Sequence, residues 1–357
     1  METLSRREAL LLLGGALSAR AYAQQPTFST AVKVVDVLVS ARDKQNRLVS
    51  DLTQADFEIL EDQRLQQVRY FARQTDIPLT LGMLVDTSQS QRSVMDEERN
   101  AAKEFFWEVL RPAKDNAFVI RFDVEVELAQ DSTNSLTKLS DVLETLDVPT
   151  LGGRARRGAG GGGAGGARGG GPGGGGPRRE GVGTLLYDAI FLAADEVLKE
   201  KEGRKAAILL SDGADVGSKT SLNTAIEFAQ KADTAIYAIR MGEGGAGASP
   251  LGGIILGGGG GGRGGRGGRR PAAIARPNGE KIMRRLAEET GGRYFEVSRK
   301  TSLEVIFKDI EQELRNQYSL GYVSDRTEAS GEFRAIEVRT KRKNVTVQAR
   351  KGYYAVP

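Results

Sequence analysis

The sequence predicts an α/β fold: a doubly wound, mostly parallel sheet with β-rich segments at either end. Between residues 79 and 316, short apolar runs alternate with amphipathic stretches of helical period, the pattern of parallel strands covered by helices on both faces. On either side of that stretch the alternation gives way to β-branched and aromatic runs separated by polar turns, which read as strands without helices.

The elements follow in order. Residues 32–39 (VKVVDVLV), 57–60 and 67–71 read as strands of an amino-terminal β segment, 24–76, with a turn at 43–46. The α/β domain, 77–317, opens with a strand at 79–85, a helix at 94–110, strands at 117–122 and 124–128 and a helix at 136–146. It resumes with a helix at 185–199, a strand at 206–210, a helix at 222–232 and a strand at 235–239, then a helix at 280–290, a strand at 293–297 and a helix at 303–316. A carboxyl-terminal β segment, 318–357, contributes strands at 318–323, 333–340 and 345–350. Two β segments flanking one α/β unit fit either one sandwich, in which 318–357 pairs with 24–76, or two separate modules; the single sandwich is the expectation. On the helix at 94–110, Phe105, Phe106 and Trp107 read as core packing, Phe105 sharing a face with Val109.

Residues 1–23 have the form of an export signal. Arg6-Arg7 lies ahead of an apolar run at 9–16, and Ala21-Tyr22-Ala23 is a small-x-small cleavage site. The paired arginines resemble a twin-arginine signal, with Ala9 where that pattern favours a larger apolar residue. The run is too short to span a bilayer, and no later stretch reaches the roughly 18 apolar residues a transmembrane helix needs. The expectation is a periplasmic or secreted protein whose mature chain has no transmembrane segment.

Composition removes several chemistries. With no cysteine and no histidine there are no thiol nucleophiles, disulfides, Ser-His-Asp triads or histidine-bound metals. The formal charge of +4 comes from two Gly/Arg-rich tracts, at 152–181 and 243–277, and the rest of the chain is net acidic. These tracts lack the apolar surface to offset their ordering entropy and read as disordered surface insertions. Arg263 and Arg266 sit in Arg-Gly-Gly repeats like those of RNA-binding tails, but in an exported chain without interleaved aromatics they do not point to nucleic acid.

The chemistry is carried by oxygen. The strand at 79–85 runs into Asp86-Thr87-Ser88-Gln89-Ser90, placing a carboxylate and two hydroxyls at the carboxyl edge of a parallel strand, where open α/β sheets bind ligands. Alone, that pattern is also an ordinary turn with a helix cap. Thr184 and Asp212-Gly213 add donors from two more loops on the same edge. Oxygen donors without nitrogen or sulfur suit a hard cation, Mg²⁺ before Mn²⁺ or Ca²⁺. Asp188 and Asp215 read as a helix residue and a loop acid rather than ligands.

Taken together, Asp86-x-Ser88-x-Ser90, Thr184 and Asp212-Gly213 resemble the metal-ion-dependent adhesion site of von Willebrand factor type A domains, and the resemblance covers roughly residues 78–317. Asp56-Phe57, Glu61-Asp62 and Gly352-Tyr353-Tyr354 resemble the flanks of a bacterial exported subfamily first described from acidobacteria. The resemblance implies that Ser88 and Ser90 bind the ion directly, Thr184 directly or through water, and Asp86 and Asp212 largely through water. An ion held mostly by neutral groups keeps positive character and can take an Asp or Glu of a protein partner as its remaining ligand. The expected function is metal-dependent protein binding without catalysis. The alternatives are a cell-envelope scaffold with a metal-stabilised domain and a metal-assisted hydrolase; the chain has no nucleophile elbow, phosphate loop or dinucleotide fingerprint.

Overall fold

A computed structural model describes residues 34–74, 77–147, 183–241, 278–326 and 331–355. The export signal at 1–23 and both Gly/Arg tracts, at 152–181 and 243–277, lie outside the described residues.

The chain begins with β1 (Val34–Asp43), β2 (Phe57–Glu61), β3 (Arg64–Gln66) and β4 (Val68–Gln74). The α/β part contains β5 (Leu79–Asp86), α1 (Met95–Val109), β6 (Asn116–Phe122), β7 (Val126–Thr133), α2 (Leu136–Thr145), α3 (Leu186–Phe191), β8 (Arg204–Ser211), α4 (Leu222–Lys231), β9 (Thr234–Arg240), α5 (Gly279–Thr290), β10 (Tyr294–Glu296) and α6 (Leu303–Arg315). It is followed by β11 (Gln317–Val323), β12 (Phe333–Thr340), β13 (Val345–Gln348) and β14 (Gly352–Tyr354). Ser135, Ser221 and Asn278 set the starts of α2, α4 and α5, each side chain accepting from an N–H in the first turn.

The six-stranded central sheet has the order β10-β9-β8-β5-β6-β7, parallel except for β7, which returns antiparallel beside β6. Side chains alternate along β5: Leu81, Met83 and Val85 join the core under α1, α2 and α6, while Leu84 faces the core under α3, α4 and α5. Helices therefore cover both faces, and β5 lies between β8 and β6 in the interior. Phe105 of α1 stacks on Phe307 of α6 at 4.5 Å. Trp107 departs from the expected core role: it is 61% exposed, because two residues of helical turn carry it off the stripe that holds Phe105 and Val109.

The helix expected at 185–199 changes character part-way. After α3 the turn widens to π-helical geometry over Leu192–Leu198, keeping Ala193, Ala194, Val197 and Leu198 buried.

The end segments interleave strand by strand. One sheet has the order β13-β1-β11-β4 and the other β14-β12-β2-β3, with Val37, Val39, Phe57, Ile59, Tyr318, Leu320 and Tyr322 among the buried side chains between them. A polar junction joins this sandwich to the central sheet. Arg42 of β1 reaches Glu313 (2.6 Å) and Asp309 (2.8 Å) of α6. Arg293 pairs with the same two acids, and Tyr237 of β9 donates to Glu313 at 3.1 Å. Among the described residues no helix is long and apolar enough to cross a membrane.

Candidate metal centre

The carboxyl edge of β5 is built around Asp86, fully buried at the last position of the strand. Its Oδ1 accepts from the Ser88 backbone N–H at 2.9 Å, closing the chain into a tight turn, and its Oδ2 accepts from Ser211 Oγ at 2.7 Å. Ser211 ends β8, the neighbour of β5, so the second bond ties the two loops together. The turn then places Ser88 Oγ and Ser90 Oγ 2.9 Å apart on its outer side. Burial pushes the Asp86 carboxyl up to about 6, against the lowering pull of the Ser88 and Ser211 hydrogen bonds.

Asp212 follows directly after Ser211. Its Oδ1 accepts from Ala214 N–H at 2.9 Å, and Gly213, whose N–H donates to Ser211 Oγ, has φ +82°. A Cβ on Gly213 would stand 2.5 Å from the Gly279 carbonyl oxygen and 2.7 Å from Met283 Cγ, so only glycine lets this loop rest on the start of α5.

Thr184 is held between two loops. Its backbone exchanges both hydrogen bonds with Val216, in the loop after β8 (3.1 and 2.9 Å), and the next residue, Leu185, donates to the Asp123 carbonyl after β6 (2.8 Å). Because β5 lies between β8 and β6, this seat puts Thr184 at the crest where the Asp86 turn emerges. Asp188 and Asp215 have structural partners: Asp188 accepts from the Lys219 and Thr220 N–H groups, and Asp215 from Tyr187 N–H and Ser218 Oγ, pinning the loop after β8 to the start of α3.

No family model matches the chain, and no curated protein matches it. Among solved structures the chain is similar to proximal thread matrix protein 1 from the mussel byssus, in a form with a zinc-occupied MIDAS motif; identity is 13%, TM-score 0.46, with 72% of this chain and 50% of that one covered. It is similar to the conserved hypothetical protein BatB from Bacteroides thetaiotaomicron (16% identity, TM-score 0.41, 67% of this chain and 97% of that one). It is also similar to the vWF domain of the type V pili tip protein Mfa5 from Porphyromonas gingivalis (11%, 0.42, 68% and 96%). The chain spans half the length of the mussel protein.

The donor set suits a hard cation of modest negative surroundings: three hydroxyls and two carboxylates, all oxygen. Among the described residues no group of three or more Asp or Glu side chains gathers into a metal cage. Sequence reasoning left three buried polar residues at this edge unassigned. Ser211 was visible in Ser211-Asp212-Gly213, yet its bond to Asp86 needs the pairing of β8 with β5. Gln91 and Glu98 are 2% and 1% exposed, and among the described residues Gln91 Oε1 and both Glu98 carboxyl oxygens have no hydrogen-bond partner. Burial, and after it the Asp86 and Glu97 carboxylates, pushes the Glu98 carboxyl up to about 8.

Proposed function

We propose that this protein is an exported binding module that holds one divalent cation on the Ser88–Ser90 turn and uses it to bind an Asp or Glu side chain of a protein partner. The observation that carries the reading is the serine pair: two hydroxyls 2.9 Å apart, on a turn closed by a buried carboxylate, at the crest of a parallel sheet where Thr184 and Asp212 also emerge. Ser88, Ser90 and Thr184 would hold the ion, with Asp86 and Asp212 behind them. The ion would supply a positive charge that neutral ligands leave largely uncompensated, and hence an open position for a carboxylate. Mg²⁺ is the expected ion, with Mn²⁺ or Ca²⁺ as substitutes. The signal-like amino terminus supports a periplasmic or secreted location, and the resemblance of the site supports binding over a metal-assisted hydrolase.

Calorimetric titration of the chain with Mg²⁺ and Mn²⁺ tests the reading, beside a variant carrying Ser88→Ala and Ser90→Ala. The expected result is saturable one-to-one binding that weakens by about 100-fold or more in the variant, while its melting temperature in chelator stays at the wild-type value. No saturable binding by the wild type removes the metal reading. The scaffold alternative predicts that chelator alone lowers the melting temperature and that acidic partners are not retained with or without metal.

A further inference from the structure

Behind the serine turn lie acceptors without a donor among the described residues. Glu98 is in the first turn of α1, where its neighbours Asp96 and Glu97 face solvent, yet Glu98 itself turns inward and is 1% exposed. Gln91 closes the short turn that contains Ser90; its Nε2 lies 3.5 Å from Ser90 Oγ, which sets the amide against the serine pair. Glu98 in turn feels the Asp86 carboxylate. Gln91 Oε1 and both Glu98 oxygens are thus orphaned beside the residues proposed to hold the ion.

Buried polar atoms in folded proteins almost always find partners, and exceptions call for a water, an ion or a functional cause. Among the described residues the other buried glutamates, Glu61 and Glu313, are satisfied. Glu61 accepts from Tyr322, Tyr353, Ser324 and Arg334, and Glu313 from Arg42, Arg293 and Tyr237. All three orphans are oxygens, and with Glu98 ionised all of them want hydrogen-bond donors. A hydrated divalent cation brings strong ones, since Mg²⁺ keeps several waters in protein sites.

We propose that Glu98 and Gln91 are positioning residues of the metal centre, their free oxygens accepting hydrogen bonds from the water shell of the ion on the Ser88–Ser90 turn. The proposal rests on the metal reading above. Partners of this outer kind typically change metal affinity by about 10–100-fold when removed.

The test is Mg²⁺ titration of the full chain and of Glu98→Gln, with thermal melts of both in chelator. The expected result has opposite signs: affinity falls by about 10-fold or more, while the metal-free melting temperature rises because a buried unpaired acid has been replaced by an amide. A merely structural Glu98 predicts that affinity and metal-free stability fall together, or that affinity stays within about twofold of wild type; either outcome overturns the proposal. Gln91→Met, of similar length without the carbonyl, is the second variant. It is expected to weaken binding in the same direction, and wild-type affinity in Gln91→Met beside a Glu98→Gln that does not fold also overturns the proposal. The failures are separable: loss of binding in the Ser88/Ser90 variant with normal binding in Glu98→Gln removes this proposal alone, whereas a wild type that binds no ion removes both.

Discussion

Glu313 and Glu98 are the same side chain, buried to the same degree, in opposite circumstances. Glu313, at the junction of the sandwich and the central sheet, is 0% exposed and accepts from two arginines and a tyrosine. Glu98, at the carboxyl edge of that sheet, is 1% exposed and accepts from none of the described residues. Taking a carboxylate out of water costs several kcal/mol unless charge and hydrogen bonds offset it. At the junction the offset comes from the protein itself, and the result is a fixed link between α6, β1 and β9. At the sheet edge no such offset is present among the described residues, and the proposed ion would supply it from outside. Satisfied buried acids mark where this molecule is fastened; the unsatisfied one lies beside its candidate site.

The largest expected effect comes from unfastening the junction. Glu313→Ala leaves Tyr237 without its acceptor and Arg42 and Arg293 sharing only Asp309. The expected cost is about 3–5 kcal/mol, read from the midpoint of urea denaturation. Ion affinity measured under folding conditions should stay within about twofold of wild type, because no residue of the junction belongs to the metal centre. A large loss of affinity would join the two regions that the comparison separates.

A smaller effect is expected at the loop that carries Asp212. Gly213→Ala puts a Cβ at φ +82° and into the Gly279 carbonyl and Met283, for a cost of about 2 kcal/mol. The loop can relieve the clash only by moving off α5, which takes Asp212 with it. Stability and ion affinity should therefore fall together here, in contrast to Glu313→Ala, which touches stability alone.

These contrasts also show which parts of the molecule were legible in the sequence. The apolar run of β5 ending at Asp86, and its counterpart ending at Ser211, are strong signals because a doubly covered parallel strand has almost no polar positions. The antiparallel return of β7 was not legible: a three-residue turn at Asp123–Glu125 and the hydrogen bonds across it decide the direction, and both follow from pairing rather than composition. Glu98 was hidden for a different reason. It stands in Asp96-Glu97-Glu98, an acidic run that suits the positive end of a helix and reads as solvated. Its signal lay in spacing. Glu98, Ala102, Phe105 and Val109 fall on one stripe of α1, so a charged residue occupies a core position. The partnership of Ser211 with Asp86 joins residues 125 apart in sequence and could come only from the register of β5 on β8.

The last expected effect is a pH dependence, and it sharpens the comparison most. In the metal-free protein the Glu98 carboxyl titrates at about 8, above its ordinary value of 4.5, because the folded state favours the neutral form. Between those two values the unfolded chain has lost the proton and the folded one keeps it, so the folded state binds more protons and stability falls as pH rises. The contribution is fully present below about 4.5 and gone above about 8. In chelator the melting temperature should decline across that window by on the order of 5 °C more in the wild type than in Glu98→Gln, which has no proton to exchange. Parallel pH profiles for the wild type and Glu98→Gln would mean that the buried acid is satisfied after all, and the distinction between the two glutamates would fail.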